Sequence, residues 1–167
     1  LFCFFGSTIG NFSENEISRF FTNLGTSMQP GDQLLLGLDM VKDIDILERA
    51  YNDHQQITAA FNRNILNVVN HLVDTNFEPD AFAHLAYYND RFSRIEMHLK
   101  ASSEMIVTSP QFPEKIQLKR NETIHTENSR KFTPADIRQL ARIAGLAVEQ
   151  TFTDPRKWFS LVKLIKA

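Results

Sequence analysis

Apolar positions change their period along this chain, and each period predicts a different element. Residues 1–5 (LFCFF) are an unbroken apolar run, which predicts a strand buried on both faces. A small polar loop, Gly6 to Phe12, follows it. Ser13 and Glu16 have the spacing of a capping box, and Ile17, Phe20, Phe21 and Leu24 recur at helical spacing, so residues 14–28 read as an amphipathic helix. Pro30-Gly31-Asp32 turns the chain into a second buried strand over 33–40 (QLLLGLDM). Strand, helix and strand with short connections form a right-handed parallel crossover, the signature of an α/β sheet.

Residues 44–74 read as helical, with one stripe of Ile44, Leu47 and Tyr51 and another of Phe61, Ile65, Val68, Val69 and Leu72. Thr58 is the expected cap of the second helix. From Phe82 the period falls to two. Ala83, Leu85 and Tyr87 alternate, residues 94–107 read as one long strand with Ile95, Met97 and Leu99 on one face, and 116–119 and 123–132 as further strands. Thr133 with Pro134 opens a helix whose core face is Ile137, Leu140, Ala141 and Ala144, and Gly145 closes it. Strands over 148–152 and 158–165 complete the chain, suiting the antiparallel end of some α/β sheets.

Composition narrows the function classes. The chain has 167 residues, 18 Lys and Arg against 20 Asp and Glu, and a formal net charge of -2. That balance argues against nucleic acid and polybasic membrane surfaces as partners. One cysteine, Cys3, leaves no internal disulfide framework and makes a cytoplasmic location the default. No apolar run approaches the ~20 residues of a membrane span. The 14 phenylalanines and an apolar, Met-less opening predict further sequence before Leu1. A strand buried on both faces also predicts self-association or a covering partner chain.

Candidate chemistry is sparse. The loop Gly6–Asn11 follows the C-terminal end of a buried strand, where open α/β sheets bind ligands; it reads equally well as a turn that uses glycine for positive φ. It has no P-loop lysine, and the chain has no GxGxxG. Tyr51 and Met97 lie on apolar faces where core packing is the default. Glu127 and Ser129 share one face of an extended segment. A carboxylate and a hydroxyl suit the two nitrogens of an imidazole, and they equally suit a solvated strand face. The five histidines show no metal spacing, and no GxSxG elbow presents a nucleophilic serine, so neither a metal nor a catalytic side chain is expected.

Seven ordered blocks carry a resemblance: Phe5-Gly6-Ser7-Thr8-Ile9-Gly10-Asn11-Phe12, Asp39-Met40-Val41-Lys42-Asp43, Ala50-Tyr51-Asn52-Asp53, Thr58-Ala59-Ala60-Phe61-Asn62-Arg63-Asn64, Arg94-Ile95-Glu96-Met97, Thr126 to Phe132, and Thr153-Asp154-Pro155. Together they resemble the C-terminal half of the L-histidine Nα-methyltransferases of ergothioneine biosynthesis, to which fungal enzymes acting on a prenylated tryptophan are related. The resemblance implies an α/β fold: the C-terminal part of a Rossmann-like methyltransferase sheet with an inserted α+β substrate-binding domain. Its expected boundaries are 1–50 for part of the methyltransferase core, 51–132 for the insertion, and 133–167 for the return to the sheet.

The implied reaction moves methyl groups from S-adenosylmethionine to the α-amine of L-histidine, giving hercynine. Asn11 and Tyr51 would hold the substrate's amino and carboxylate groups, Glu127 and Ser129 the imidazole, and Met97 would line the pocket. Gly6 and Ser7 would face the cofactor, whose main binding loop is expected upstream of this chain. The alternatives are another amino acid as substrate, such as a tryptophan derivative, or a substrate-binding module without activity of its own.

Overall fold

Two capping boxes set the ends of the helices that build the first sheet. In α1 (Glu14–Ser27), the Ser13 Oγ accepts from the Glu16 N–H, while the Glu16 carboxylate accepts from the Ser13 N–H. Thr133 and Asp136 do the same at the start of α4 (Pro134–Ala144), and Gly145, at φ 64°, closes that helix in the left-handed region. The described residues are 1–167, taken from a computed structural model. They divide into one unit of Leu1–Asp43, Asn89–Arg94 and Asn128–Ala167, and a second of Ile44–Tyr88 and Ile95–Glu127.

The first unit holds a four-stranded sheet. β1 (Phe2–Phe4) pairs in parallel with β2 (Gln33–Asp39), and β2 pairs antiparallel with β9 (Phe159–Lys166), which pairs antiparallel with β8 (Leu146–Thr153). Leu34, Leu36, Leu38, Val162 and Leu164 are fully buried and form a core with Phe21 of α1 and Leu140 of α4. The two helices touch closely. A Cβ on Gly25 would sit 1.9 Å from the carbonyl oxygen of Ala144, so only glycine allows this approach.

β1 departs from expectation. It lies at the sheet edge, and Leu1, Phe2 and Phe5 are exposed, because the strand has a neighbour on one side only. An apolar run alone does not distinguish an edge strand from a central one.

The second unit contains α2 (Ile44–Tyr51), α3 (Ile57–Val73), a two-stranded hairpin and the larger part of a three-stranded sheet, whose residues Asn89, Arg94 and Asn128–Arg130 belong to the first unit. β3 (Phe82–Asn89), β4 (Arg94–Ala101) and β7 (Thr123–Arg130) stand in that order, with β4 central. β5 (Met105–Ser109) and β6 (Phe112–Leu118) form a separate hairpin. The single strand expected over 94–107 is therefore two, broken at Ser102-Ser103-Glu104. The unit begins at Ile44, so α2 groups with it and not with the preceding sheet as the expected boundary had it.

α3 differs in two ways. Its N-cap is Gln56, not Thr58, and makes no side-chain cap bond; the Asp53 carboxylate instead accepts from the N–H groups of Ile57 and Thr58 at 2.9 and 2.8 Å. And it buries Ala59, Asn62 and Leu66, while Phe61, Ile65, Val68 and Leu72 are exposed. The reason is Asn62, whose amide needs partners that only the sheet supplies.

No helix is long and apolar enough to cross a membrane. Gly25→Ala is expected to destabilise by about 1–3 kcal/mol, since overpacking against a fixed carbonyl outweighs the ~1 kcal/mol gain in helix propensity; urea unfolding measures it, and a rise in midpoint would contradict the close approach. Asp53 and Asp154 are both held below the usual aspartate value of 3.8, Asp53 first by the Thr58 N–H and Asp154 first by the Phe159 N–H. Their contribution is therefore complete above about pH 4 and lost as the pH falls through their lowered values. Unfolding midpoints measured between about pH 6 and pH 2 are expected to drop less steeply in the Asp53→Asn, Asp154→Asn double variant.

Candidate functional site

The loop after β1 owes its shape to two consecutive left-handed residues, Gly6 at φ 72° and Ser7 at φ 56°. A short 3-10 turn, Thr8–Asn11, follows, in which the Gly10 N–H donates to the Ser7 carbonyl at 2.8 Å. Gly10 must be glycine: a Cβ there would lie 2.8 Å from the carbonyl oxygen of Arg130. The loop is thereby pressed against the end of β7, with Asn11 exposed. Ser7 is buried, and its Oγ accepts from the Asp39 N–H at 2.9 Å. Gly6 is exposed, and a Cβ there would meet only the Thr8 Oγ1, at 3.4 Å. Gly6 therefore exposes bare backbone, and Ser7 commits its hydroxyl to the strand beside it.

Ser129, half-buried in the same unit, receives a hydrogen bond from the Lys131 ammonium at 2.9 Å. Lys131 is fully buried and its Nζ lies 2.8 Å from Asp39 Oδ2. Lys42 holds the other oxygen, Oδ1, at 2.5 Å.

The second unit carries Tyr51, Met97 and Glu127. Tyr51 and the buried Met97 belong to one apolar cluster with Leu47, Ala86 and Ile95. Glu127 lines a cavity of about 180 Å³ whose wall is Phe61, Ile65 and Val68 of α3, with Asn62 and Thr126. Alternation would put Thr126 and Glu127 on opposite faces of the strand, yet both line this cavity. A carboxylate beside an apolar wall suits a flat ring that carries one N–H.

A polar chain stands behind that wall. Asn62 donates to the carbonyl of His98 at 3.1 Å and to Nδ1 of His84 at 2.9 Å. With Nδ1 accepting, the His84 proton is on Nε2, which donates to the Tyr51 carbonyl at 2.8 Å. The Thr126 hydroxyl shares its proton between Asn62 Oδ1 at 2.6 Å and the Met97 carbonyl at 2.9 Å. The backbones of Tyr51 and Met97 and the strand that bears Glu127 are thus connected through Asn62. No role was expected for Asn62, His84 or Thr126. One signal was available: Asn62 is a polar residue at core spacing between Ala59 and Leu66.

Glu96, His98 and His125 bring three possible ligand atoms within 4.8 Å of one another. Their geometry is that of a stack. The His98 and His125 rings lie 4.6 Å apart at 17°, Tyr87 stacks on His98 at 5.3 Å and 12°, and the Tyr87 hydroxyl donates to Glu96 at 2.9 Å. Ring lone pairs lie in the ring planes, and nearly parallel planes do not meet at one ion, so this arrangement does not fit a metal centre.

The fold is that of a class of enzymes. The structure of an S-adenosylmethionine-dependent methyltransferase from Clostridium acetobutylicum superposes with a TM-score of 0.50 at 8% identity, covering 99% of this chain and 57% of that one. The chain itself belongs to the family of histidine-specific, S-adenosylmethionine-dependent methyltransferases, whose description it matches over residues 1–166. It is 42% identical to the histidine N-alpha-methyltransferase of Mycolicibacterium smegmatis over 96% of its length and 50% of that protein. The corresponding figures for the enzyme of the same name from Mycobacterium tuberculosis are 41%, 96% and 50%. An L-tryptophan methyltransferase from Psilocybe serbica is 28% identical over 96% of this chain and 45% of its own. The chain thus spans about half the length of the relatives it matches.

Asn62→Ala is expected to cost about 1–3 kcal/mol, because it leaves the Thr126 hydroxyl, the His84 ring and the His98 carbonyl to find new partners in a buried place. Thermal unfolding measures the loss, and an unchanged melting temperature would remove Asn62 as the organising residue.

Proposed function

We propose that this chain carries the histidine-reading part of an S-adenosylmethionine-dependent Nα-methyltransferase that converts L-histidine to hercynine. The observation that carries the proposal is the cavity in which Glu127 faces an apolar wall of Phe61, Ile65 and Val68. Family membership over residues 1–166 supports the reaction type. A location in the cytoplasm is consistent with a single exposed cysteine.

When bound, S-adenosylmethionine supplies an electrophilic methyl group on a sulfonium. Exposed backbone at Gly6 is where this chain would approach it. Asn11 and Tyr51 hold the α-amino and carboxylate groups, so that the nitrogen lone pair points along the line of transfer; positioning of this kind removes several kcal/mol from a barrier. The nitrogen receives the three methyl groups of hercynine from S-adenosylmethionine in turn, with one amine proton leaving to water before each transfer. Glu127 accepts the ring N–H, Ser129 meets the other ring nitrogen, and Met97 packs beside them. A site built to hydrogen-bond a ring discriminates strongly against substrates that lack the matching group.

The test uses a protein of the relatives' full length, given S-adenosylmethionine and equal amounts of L-histidine and L-tryptophan. Methylated histidine is the expected product in mass spectrometry, and methylated tryptophan alone would overturn the substrate. Glu127→Ala is expected to raise KM for histidine about 10–100-fold, the effect of losing one charged hydrogen-bond partner; an unchanged KM would remove Glu127 from the ring site.

A further inference from the structure

His84 is half-buried on β3, and its two ring nitrogens meet two different helices. The His98 carbonyl only accepts, so it is the amide nitrogen of Asn62 that faces it, at 3.1 Å. The same nitrogen lies 2.9 Å from His84 Nδ1, which must therefore accept as well. That leaves the ring proton on Nε2, 2.8 Å from the carbonyl of Tyr51. Tyr51 is the last residue of α2, and the carbonyls of a helix's last turn lack partners within the helix. Two further bonds fasten this helix end to β3, the outer strand of its sheet. Asn52 Nδ2 donates to the Ala86 carbonyl at 3.0 Å, and the Glu48 carboxylate accepts from the Tyr88 N–H at 2.9 Å. Those bonds act before and after Tyr51; His84 acts on Tyr51 itself.

We propose that His84 is a positioning residue: by donating to the Tyr51 carbonyl it fixes the peptide beside the Tyr51 side chain, and with it the grip of that tyrosine on the substrate. This rests on the reading of Tyr51 as a substrate contact. Packing with Leu47, Ala86 and Ile95 holds the tyrosine ring against the sheet. The helix stops at Tyr51, so no following turn sets the rotation of its last peptide; the bond from His84 does. Asn62 needs only an acceptor at this place, and the Tyr51 carbonyl only a donor. A neutral imidazole supplies both, and its two tasks can be separated. An asparagine amide oxygen stands where Nδ1 stands and serves Asn62; a glutamine amide nitrogen stands where Nε2 stands and serves Tyr51.

The experiment measures kcat/KM for L-histidine, KM for S-adenosylmethionine and the melting temperature in the full-length enzyme. His84→Asn is expected to lower kcat/KM for histidine about 3–10-fold, the effect of one lost neutral hydrogen bond, and to leave KM for S-adenosylmethionine unchanged. His84→Gln is expected to restore most of that loss while melting lower than His84→Asn, since it takes a partner from the Asn62 amide. A merely structural role instead ranks the two activities by melting temperature. A double-variant cycle gives the second reading. If His84 acts through Tyr51, then His84→Asn costs little more once Tyr51→Phe is present, whereas independent effects multiply. His84→Thr, a good strand residue that reaches neither partner, takes the place of His84→Asn in the cycle if the latter melts early. Parental kinetics in His84→Asn, equal losses in the asparagine and glutamine variants, or losses that multiply with Tyr51→Phe overturn the proposal. Tyr51→Phe separates the two levels: a loss there with an unaltered His84→Asn removes this inference alone, and unchanged kinetics in Tyr51→Phe remove the reading beneath it.

Discussion

The ion pair of the buried Lys131 with the half-buried Asp39 is the contact on which the first unit's working surface depends. It joins the end of β2 to the residues just beyond β7, and backbone bonds on either side lock the join. The Phe132 N–H donates to the Asp39 carbonyl at 2.9 Å, the Val41 N–H to the Phe132 carbonyl at 2.9 Å, and the Lys131 N–H to the Ser93 carbonyl at 2.7 Å. Asp39 then reaches the loop after β1 through Ser7, and Lys131 reaches Ser129. Two positions assigned to different tasks by family resemblance, Ser7 and Ser129, therefore share one carboxylate–ammonium link. Such a link is costly to desolvate and costly to break halfway, which makes it a determinant of geometry more than of stability.

Asn62 has the corresponding place in the second unit. A neutral amide with both donors and its acceptor engaged fixes three strands of structure to one helix without any charge. Its burial turns the apolar residues of α3 toward the cavity that Glu127 lines. Each unit thus places a buried polar residue near a candidate site side chain, Lys131 by Ser129 and Asn62 in the wall of the cavity that Glu127 lines.

Features governed by near neighbours were legible in the sequence. The capping box at Ser13, the N-cap at Thr133, the core face of α4 and its closure at Gly145 follow from spacing alone. The helix–strand order and the parallel pairing of β1 with β2 also follow. Features governed by distant partners were not. The edge position of β1 depends on what lies beside it, the inward face of α3 on carbonyls and hydroxyls of other strands, and the burial of Lys131 on Asp39. The break at Ser102 was readable in principle, as a short polar cluster inside an alternating run. For the candidate site, spacing brought out Glu127 and Ser129. Their partners, which decide what each can donate or accept, come only from the fold.

The central claim is that the cavity lined by Glu127 holds the imidazole of histidine. Nitrogen-15 resonance of ring-labelled L-histidine added to the full-length enzyme reads that contact directly. The account predicts ring-nitrogen signals shifted from those of free histidine, with the shift lost in Glu127→Ala. Ring signals unchanged from free histidine, or a shift that the variant keeps in full, would contradict it.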